Sequence, residues 1–339
     1  MPEKYQLISE NNNSTVVSDY VSPYQRATSY QSEAELEREL IEQLQAQAYE
    51  YLPIKSESDL IRNLRMQLEK LNDYTFTDTE WKRFFAERIA NGNEDIADKT
   101  FKIQEDSTQL LQLDNGEVIN IRLLDKTNIH KNCLQVINQY EVSGARDNRY
   151  DVTLLVNGLP LVHIELKRRG VPLKEAFNQI NRYQRDSFWA GSGLFEYVQL
   201  FVISNGTHTK YYSNTTRWQH INEAGKSDSH RSKKTSNSFE FTSWWADAKN
   251  RPIADLIDFT ATFLSKHTLL NVLMKYCVFT SDKLLLVMRP YQIVATERIL
   301  NRIQIATNYK KLGTIEAGGY VWHTTGSGKT LTSFKTAQL

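Results

Sequence analysis

One apolar hairpin constrains the fold of this chain more than any other feature. Residues 151–167 read DVTLLVNGLPLVHIELK, two strand-forming runs joined at Asn157-Gly158, with Asp151 at one end and Glu165 and Lys167 at the other. Asn-Gly between two such runs is the strongest short-range signal for a β-hairpin. The hairpin should therefore bring two carboxylates and a lysine together, where we expect an edge of the sheet to meet solvent.

The three polar groups share a face only if Asp151 stands opposite Glu165. A plain two-residue turn would set Asp151 opposite Ile164 and turn Glu165 to the other face, because a slip of one residue flips every side chain. We therefore predict a three-residue connection or a β-bulge near residues 157–160. Pro160 has no N–H to donate, which fits a break in the ladder there.

This set of groups suits phosphodiester hydrolysis. Asp151 and Glu165, with the backbone carbonyl of Leu166, are predicted to bind Mg²⁺ through oxygen ligands. The ion lowers the pKa of a bound water and polarises the scissile phosphate, and Lys167 can hold that water and stabilise the transition state. The plain alternative is a solvent-facing strand end with an ion pair. The Glu-x-Lys pattern alone favours that alternative, whereas its position after an apolar run and opposite an aspartate favours the site.

The helix predicted after the hairpin adds polar groups to the same region. Gln179 and Tyr183 are four residues apart and share one face, where they can bond a DNA phosphate or groups near the catalytic lysine. Arg182, Arg185 and the run at 167–169 supply local positive charge for a DNA backbone. Taken singly, the glutamine and the tyrosine are more often ordinary surface-helix residues.

Composition places the chain among soluble globular proteins. Its 339 residues allow one large domain plus part of another, or two ordinary domains. The formal net charge is only +1, so any DNA contact must come from local patches and not from a global cationic field.

The cysteines and the apolar runs give no sign of a zinc site, a signal peptide or a membrane span. Cys133 and Cys277 are far apart and lack zinc-type spacing, so we expect two reduced thiols. The polar N-terminus has no apolar signal segment, and no apolar run reaches the length of about 18 residues that a membrane span needs. We expect a cytoplasmic protein that does not contact a membrane.

Capping patterns and β-branched runs outline the regular elements. Residues 1–30 are predicted to form an extended or loosely packed arm. Ser32 with Glu35 and Thr77 with Glu80 read as capping boxes that begin helices. Further helices are predicted at 58–71 and from Pro172 to about residue 188, and strands near 117–124, 133–141, 150–156, 161–167 and 197–204.

The composition of two later segments predicts their structure. Residues 213–238 are rich in Ser, Asn and Lys, with the densest charge at 230–234, and predict a long surface loop or flexible hairpin. A solvated loop is the default interpretation, and a DNA-contacting loop is the alternative. Residues 253–278 predict an apolar helical stretch that leads into a new unit.

A phosphate-binding loop lies near the end of the sequence. Residues 319–322 read as a short buried strand, followed by a glycine-rich loop and a helix start. His323 stands where the strict Walker pattern has glycine, so the loop instead resembles motif I of superfamily 2 helicases. The residues predicted to bind ATP are Thr325, Gly326, Ser327, Gly328, Lys329 and Thr330, together with Gln292, which resembles the adenine-recognising glutamine of such motors.

The order of these elements resembles the PD-(D/E)xK nuclease superfamily in its RecB-like branch. Residues 31–337, with phrases at 148–162, 176–180 and 201–207, also resemble the motor (R) subunit of type I restriction endonucleases. The resemblance implies that Asp151 and Glu165 are metal ligands and Lys167 the catalytic lysine, with Gln179 and Tyr183 as the accessory motif. Tyr150 precedes the aspartate, so the literal Pro-Asp pair is missing.

The resemblance also implies an architecture and partners. We expect an α/β chain with an arm at 1–30, a PD-(D/E)xK domain with a mixed sheet flanked by helices at 31–255, and the start of a RecA-like lobe at 256–339. No acidic Walker B strand follows the loop, so we expect a fragment that does not hydrolyse ATP alone. The intact protein would translocate double-stranded DNA with ATP, cut it with Mg²⁺, and assemble with methyltransferase and specificity subunits. The alternatives are a RecB-like repair nuclease-helicase and an inactive nuclease fold that serves as a docking platform.

Overall fold

A computed structural model describes residues 14–24, 31–143, 147–214 and 237–339. Its centre is a six-stranded mixed sheet with strand order β1-β4-β5-β6-β7-β8, in which β1/β4 and β6/β7 are parallel and the other pairs antiparallel. The remaining strands pair as the hairpins β2-β3 and β9-β10. The strands are β1 Glu50–Tyr51, β2 Thr108–Gln112, β3 Val118–Arg122, β4 Leu134–Ser143, β5 Asp147–Val156, β6 Leu159–Leu166, β7 Leu200–Ser204, β8 Thr209–Ser213, β9 Cys277–Phe279 and β10 Leu285–Val287.

Helices cover both faces of this sheet, so the predicted mixed α/β sheet flanked by helices is confirmed. They are α1 Glu33–Ala46, α2 Glu57–Asn72, α3 Asp78–Phe84, α4 Ile96–Gln104, α5 Leu173–Asp186, α6 Leu256–Thr262, α7 Lys266–Met274, α8 Pro290–Asn308 and α9 Lys329–Gln338. A π-helical turn, Phe85–Ile89, extends α3, and short 3₁₀ turns occupy Ile129–Lys131, Leu194–Tyr197, Asn237–Phe241 and Ile315–Ala317.

The two neighbouring tyrosines of β8 show which helices cover which face. Tyr212 packs against Phe177 of α5, whereas Tyr211 packs against Phe263 at the end of α6. Adjacent strand residues point to opposite faces, so α5 and α6 lie on opposite sides of the sheet. All eight residues of β6 are buried.

The hairpin has the bulge that its pattern predicts. Asn157 and Gly158 both have positive φ (51° and 82°) and form a two-residue turn. The ladder then shifts register between Leu154 and Leu155, so Leu161 is left without a partner and Val152 pairs with Ile164. That shift sets Asp151 opposite Glu165. The predicted bulge is therefore confirmed, and its extra residue, Leu161, lies one position beyond the predicted span of 157–160.

Side-chain contacts hold the turn in place. The Asn157 side chain accepts from the Cys133 N–H (2.8 Å) and donates to the Leu123 carbonyl (3.0 Å) and Asn132 Oδ1 (2.7 Å). A Cβ on Gly158 would lie 2.6 Å from the Cα of Leu64, so α2 packs directly on the turn. The turn therefore needs glycine both for its backbone conformation and for this close approach.

The predicted capping boxes are confirmed. Glu35 N donates to Ser32 Oγ (3.2 Å) and Ser32 N to Glu35 Oε2 (2.8 Å) at the start of α1. The equivalent pair of bonds joins Thr77 and Glu80 at the start of α3. These bonds satisfy backbone donors that helix starts leave unpaired.

Several elements differ from the prediction. Helices α4 and α8 and strands β1, β2, β8 and β10 were not predicted, and the stretch 253–278 is divided between α6, α7 and β9. The buried strand predicted at 319–322 is wrong, since Tyr320 and Trp322 are 90% and 87% exposed. In the part of the chain that the structure describes, no strand lies beside this segment, and an isolated strand cannot satisfy its backbone hydrogen bonds.

The arm and the predicted loop are described only in part. Within the described segment 14–24, Thr15 and Val16 are buried, and the Thr15 N–H donates to Glu297 of α8 (3.0 Å). Residues 215–236, which include the basic run at 230–234, lie outside the described residues. No helix in the described ranges is both long and apolar enough to cross a bilayer.

Candidate active site

The structure brings the three predicted polar residues together on the β5-β6 hairpin, where Asp151 in the middle of β5 faces the end of β6. The backbone N–H of Leu166 donates to Asp151 Oδ2 (2.9 Å). Lys167 Nζ donates to Glu165 Oε1 (3.1 Å) and to the Leu166 carbonyl (2.8 Å). The carboxylates and the ammonium group therefore form one connected cluster.

The cluster is more enclosed than the sequence suggests. Glu165 is 0% exposed and Asp151 half-buried, so the expectation of a solvent-facing strand end is wrong for the glutamate. The physical reason is that α5 covers the face of the sheet that the alternation pattern left for solvent. An ion pair at an exposed strand end is thereby excluded as the description of Glu165.

Burial raises the pKa values of both acids. Burial, and then the charge of Glu165, raise the pKa of Asp151 to about 8. Burial raises the pKa of Glu165 to about 7, although Lys167 acts in the opposite direction. Two neighbouring carboxyl groups with raised pKa values, beside a lysine, mark a candidate functional site.

The donor set fits a hard divalent cation. Glu165 Oε2 is buried and has no hydrogen-bond partner, so it is an acceptor that a cation would satisfy. The other protein oxygens at hand are those of Asp151 and the Leu166 carbonyl, and a Mg²⁺ ion usually keeps several waters besides one or two carboxylates. Within the described residues no group of three or more His, Cys, Asp or Glu side chains could hold a metal.

His163 lies beside the acidic pair and was not singled out from the sequence. Its Nε2 is 3.5 Å from Glu165 Oε2, and its Nδ1 is 3.2 Å from Thr153 Oγ1. Complete burial lowers the pKa of His163 to about 4, so the ring is neutral at neutral pH. The available signal was its position two residues before Glu165 on the same face of the strand.

A strained residue faces the aspartate across the sheet. Gln139 of β4 has φ +51° and lies opposite Asp151, between the pairs Asn138–Val152 and Tyr140–Tyr150. Non-glycine residues in this conformation cluster at functional sites. Its side chain donates to Glu37 of α1, and no sequence pattern marks this conformation.

Helix α1 forms one wall of an open cleft at Asp151. The cleft has a volume of about 680 Å³, and its lining includes Glu33, Glu37, Arg38, Gln139 and Arg149. Glu33 Oε1 is 3.9 Å from Lys167 Nζ, so this first-turn carboxylate leans towards the cluster.

The accessory residues divide between the interior and the surface. Tyr183 is 1% exposed and its hydroxyl donates to the Arg149 carbonyl (2.9 Å), two residues before Asp151. Gln179 donates to the same hydroxyl, and the Arg182 guanidinium lies 5.5 Å from the Tyr183 ring centre. Tyr183 therefore supports the strand that carries Asp151, whereas Arg182 faces solvent.

The glycine-rich loop closes on the predicted glutamine. Gln292, at the start of α8, and its neighbour Tyr291 both donate to the Ser327 carbonyl over 2.9 Å. Gly326 and Gly328 have φ of 80° and 79°, and Lys329 begins α9. Its Nζ donates to the carbonyls of Thr324 (3.0 Å) and His323 (3.3 Å).

The loop borders an open cleft of about 1110 Å³. Thr325, Gly326 and Ser327 line this cleft, together with Arg289 and Tyr291 from the start of α8. Thr330 is exposed in the first turn of α9. The predicted nucleotide-binding residues are thus neighbours in space, although they come from two segments of the sequence.

The mixed α/β domain brings an acidic pair and a lysine together on its central hairpin, an arrangement consistent with a nuclease-like domain. Residues 30–220 match the family model "Type I restriction enzyme R protein N terminus", and residues 291–339 match "SWI2/SNF2 ATPase". The chain belongs to the type I restriction enzyme R protein family.

Relatives with curated names support this assignment. The chain is 49% identical to the type I restriction enzyme EcoprrI endonuclease subunit of Escherichia coli, over 90% of this chain and 93% of that protein. It is 39% identical to the SsaAORF53P endonuclease subunit of Staphylococcus saprophyticus over 91% of this chain. That alignment covers only 30% of the staphylococcal protein, and the similar subunit of Staphylococcus aureus MW2 (38% identical) is likewise covered over 30%.

Proposed function

We propose that this chain carries the Mg²⁺-dependent DNA-cleaving site of a type I restriction enzyme, in a PD-(D/E)xK-type fold. The observation that supports this most is the buried Glu165, which lies beside Asp151 and Lys167 and whose Oε2 has no hydrogen-bond partner. A purely structural carboxylate at this depth would be expected to have its acceptors filled. The family's endonuclease name is consistent with the same activity.

Asp151, Glu165 and the Leu166 carbonyl would hold the ion, which supplies an activated water and polarises the phosphate when bound. The Leu166 N–H holds Asp151 in a fixed orientation. Lys167, already bonded to Glu165, places a positive charge where it can bond the attacking water and stabilise the charge that develops on the phosphate. The water oxygen bonds to phosphorus as the bond from phosphorus to the leaving ester oxygen breaks.

The nucleotide-binding segment would serve ATP-driven translocation of double-stranded DNA in the intact protein. Support comes from the SWI2/SNF2 match at 291–339 and from the proximity of Gln292 to the loop carbonyl of Ser327. In this role Lys329 exchanges its carbonyl partners for phosphate oxygens, and Thr330 binds Mg²⁺. Residues 256–339 would then be the start of a RecA-like lobe, and methyltransferase and specificity subunits would supply sequence recognition.

A cleavage assay on the assembled enzyme tests the proposal. Asp151→Ala should abolish double-strand cleavage of a plasmid that carries the recognition site, while ATP-dependent displacement of a third strand continues. Asp282→Ala is the matched control, since it removes an exposed carboxylate in the β9-β10 turn. Unchanged cutting by Asp151→Ala would instead support a docking platform, and cutting without the methyltransferase complex would support a RecB-like repair enzyme.

A further inference from the structure

The exposed side of α5 carries a line of residues that the cleavage site does not use. Asn178, Arg182 and Arg185 are exposed and spaced by four and three residues, so they lie along one side of the helix. Trp189 follows in the turn after α5 and is 54% exposed. Its indole N–H donates to the Arg185 carbonyl (3.0 Å), which sets the ring next to the last basic residue of the line.

The backbone around this tryptophan is fixed on both sides. Phe188 is 2% exposed and stacks on Phe201 of β7, with ring centres 6.1 Å apart. On the other side, Ser192 donates from both its N–H and its hydroxyl to Glu57 Oε1 of α2, each over 2.6 Å. Trp189 is therefore a large apolar group that is held outward on an ordered support.

The chemistry of these exposed residues indicates which kind of ligand they would bind. The single hydrogen-bond donor of Trp189 is already used within the protein, so the ring offers its π-face and apolar edge outward. Arg182 and Arg185 place positive charge beside the ring. Asp186 offsets part of the charge of Arg185 through a 3.0 Å ion pair. Paired bases in a duplex have no free face for a ring to stack on, whereas unpaired bases do.

We propose that Arg182, Arg185 and Trp189 bind an unpaired DNA strand, with Trp189 stacked on a base. The inference rests on the proposed function, since DNA reaches this surface only if the neighbouring site acts on DNA. Tyr183 connects the two, because its hydroxyl bonds to β5 near Asp151 while its ring lies against Arg182. The nuclease would thus engage a frayed or separated strand and not only intact duplex.

Binding measurements on the full-length protein in EDTA test this without cleavage. The probes are a short single strand and the blunt duplex of the same sequence, each with 2-aminopurine as one base. Trp189→Ala should weaken single-strand binding about tenfold and abolish the quenching of 2-aminopurine, because stacking of one base contributes on this scale. Duplex binding should change by less than about twofold, since phosphate contacts supply it.

Two companion variants separate stacking from charge and from folding. Trp189→Phe should keep most of the affinity and part of the quenching, because a smaller ring still stacks. Arg185→Ala should weaken the binding of both probes. For the duplex it should also reduce the slope of log affinity against log salt by about one. Phe101→Ala, which removes an exposed ring on α4, is the matched control and should change neither probe.

Three outcomes would overturn the inference. These are unchanged single-strand binding by Trp189→Ala, an equal loss for single strand and duplex, and loss of assembly with a partner subunit while DNA binding persists. Failure of the proposed function gives a different result. Cleavage by Asp151→Ala would remove the catalytic assignment even where the quenching of 2-aminopurine still depends on Trp189.

Discussion

The backbone N–H of Leu166 bonds to Asp151 Oδ2 over 2.9 Å, between two strands and across 15 positions of the sequence. The bond turns the aspartate towards the end of β6, where Glu165 and Lys167 lie. It depends on the hairpin register, because a slip of one residue would place Asp151 on the other face of the sheet. The bulge that follows the Asn157-Gly158 turn is therefore part of the candidate site.

Lys167→Met should separate chemistry from ion binding. The change removes the bonds to Glu165 and to the Leu166 carbonyl but keeps the carboxylates. We expect DNA cleavage by the assembled enzyme to fall by about a hundredfold or more, because a fixed transition-state charge is lost. Mg²⁺ binding, followed by calorimetry, should persist. Lys174→Met, which removes an exposed lysine at the start of α5, is the control, and equal losses in both variants would contradict the role of Lys167.

Stability without metal should fall as pH rises from 6.5 to 8. The pKa values of Asp151 and Glu165 are raised in the folded protein, to about 8 and about 7, so the folded state holds protons that the unfolded state has released. Stability falls wherever the folded state binds more protons. His163, with its pKa lowered to about 4, acts in the opposite direction, mainly below about pH 6.5, where at least half of the unfolded rings are protonated.

Urea unfolding at several pH values measures this decline, which we expect to be about 2 kcal/mol. Saturating Mg²⁺ should remove most of it, since the bound ion stabilises the ionised carboxylates. Glu165→Gln should reduce the slope, because one of the two groups no longer titrates. A metal-free stability that rises between pH 6.5 and 8 would show that the acids are ionised in the fold.

Gly158→Ala should destabilise the protein much more than the matched change Gly116→Ala. Both glycines have φ above 80°, so both changes cost about 1 kcal/mol in backbone strain. Only at Gly158 would the new Cβ meet backbone, 2.6 Å from Leu64 Cα, whereas Gly116 has open space. We expect a total loss of about 3 kcal/mol or more at Gly158, measured by urea unfolding. Equal losses would mean that α2 moves away from the turn at little cost.

The hairpin could be derived from sequence because its two strands pair locally. The apolar residues alternate along both strands, and the Asn-Gly turn fixes where the hairpin reverses. Asp151 and Glu165 can then share a face only if one extra residue forms a bulge, and the structure has this bulge. The capping boxes of α1 and α3 were recognisable for the same reason. Helix α4 was missed because its capping box uses Asp95 and Asp98, and Asp replaces the usual Glu or Gln at the third helical position.

Features that depend on long-range packing could not be derived. The burial of Glu165 follows from the position of α5, and its contact with His163 from the enclosure of that face. The segment 319–322 has a strand-like composition, but a strand forms only where a neighbour accepts its hydrogen bonds. Trp189 carries no motif, and its exposure depends on the anchoring of the turns on either side of it.

Gln292→Ala and Lys329→Ala should weaken nucleotide binding by the intact protein in different ways. Gln292 uses its oxygen for the Arg289 N–H (2.8 Å) and its amide nitrogen for Ser327, so it stands between the helix start and the loop. A glutamine that also recognises adenine contributes one or two hydrogen bonds to the base. Gln292→Ala should then lower the affinity for ATP about tenfold and the affinity for GTP much less. Lys329→Ala should weaken ATP and GTP alike, because it removes a phosphate contact. Competition against a fluorescent ATP analogue measures the affinity for each nucleotide. An equal loss of affinity for ATP and GTP in Gln292→Ala would show that the glutamine only supports the loop.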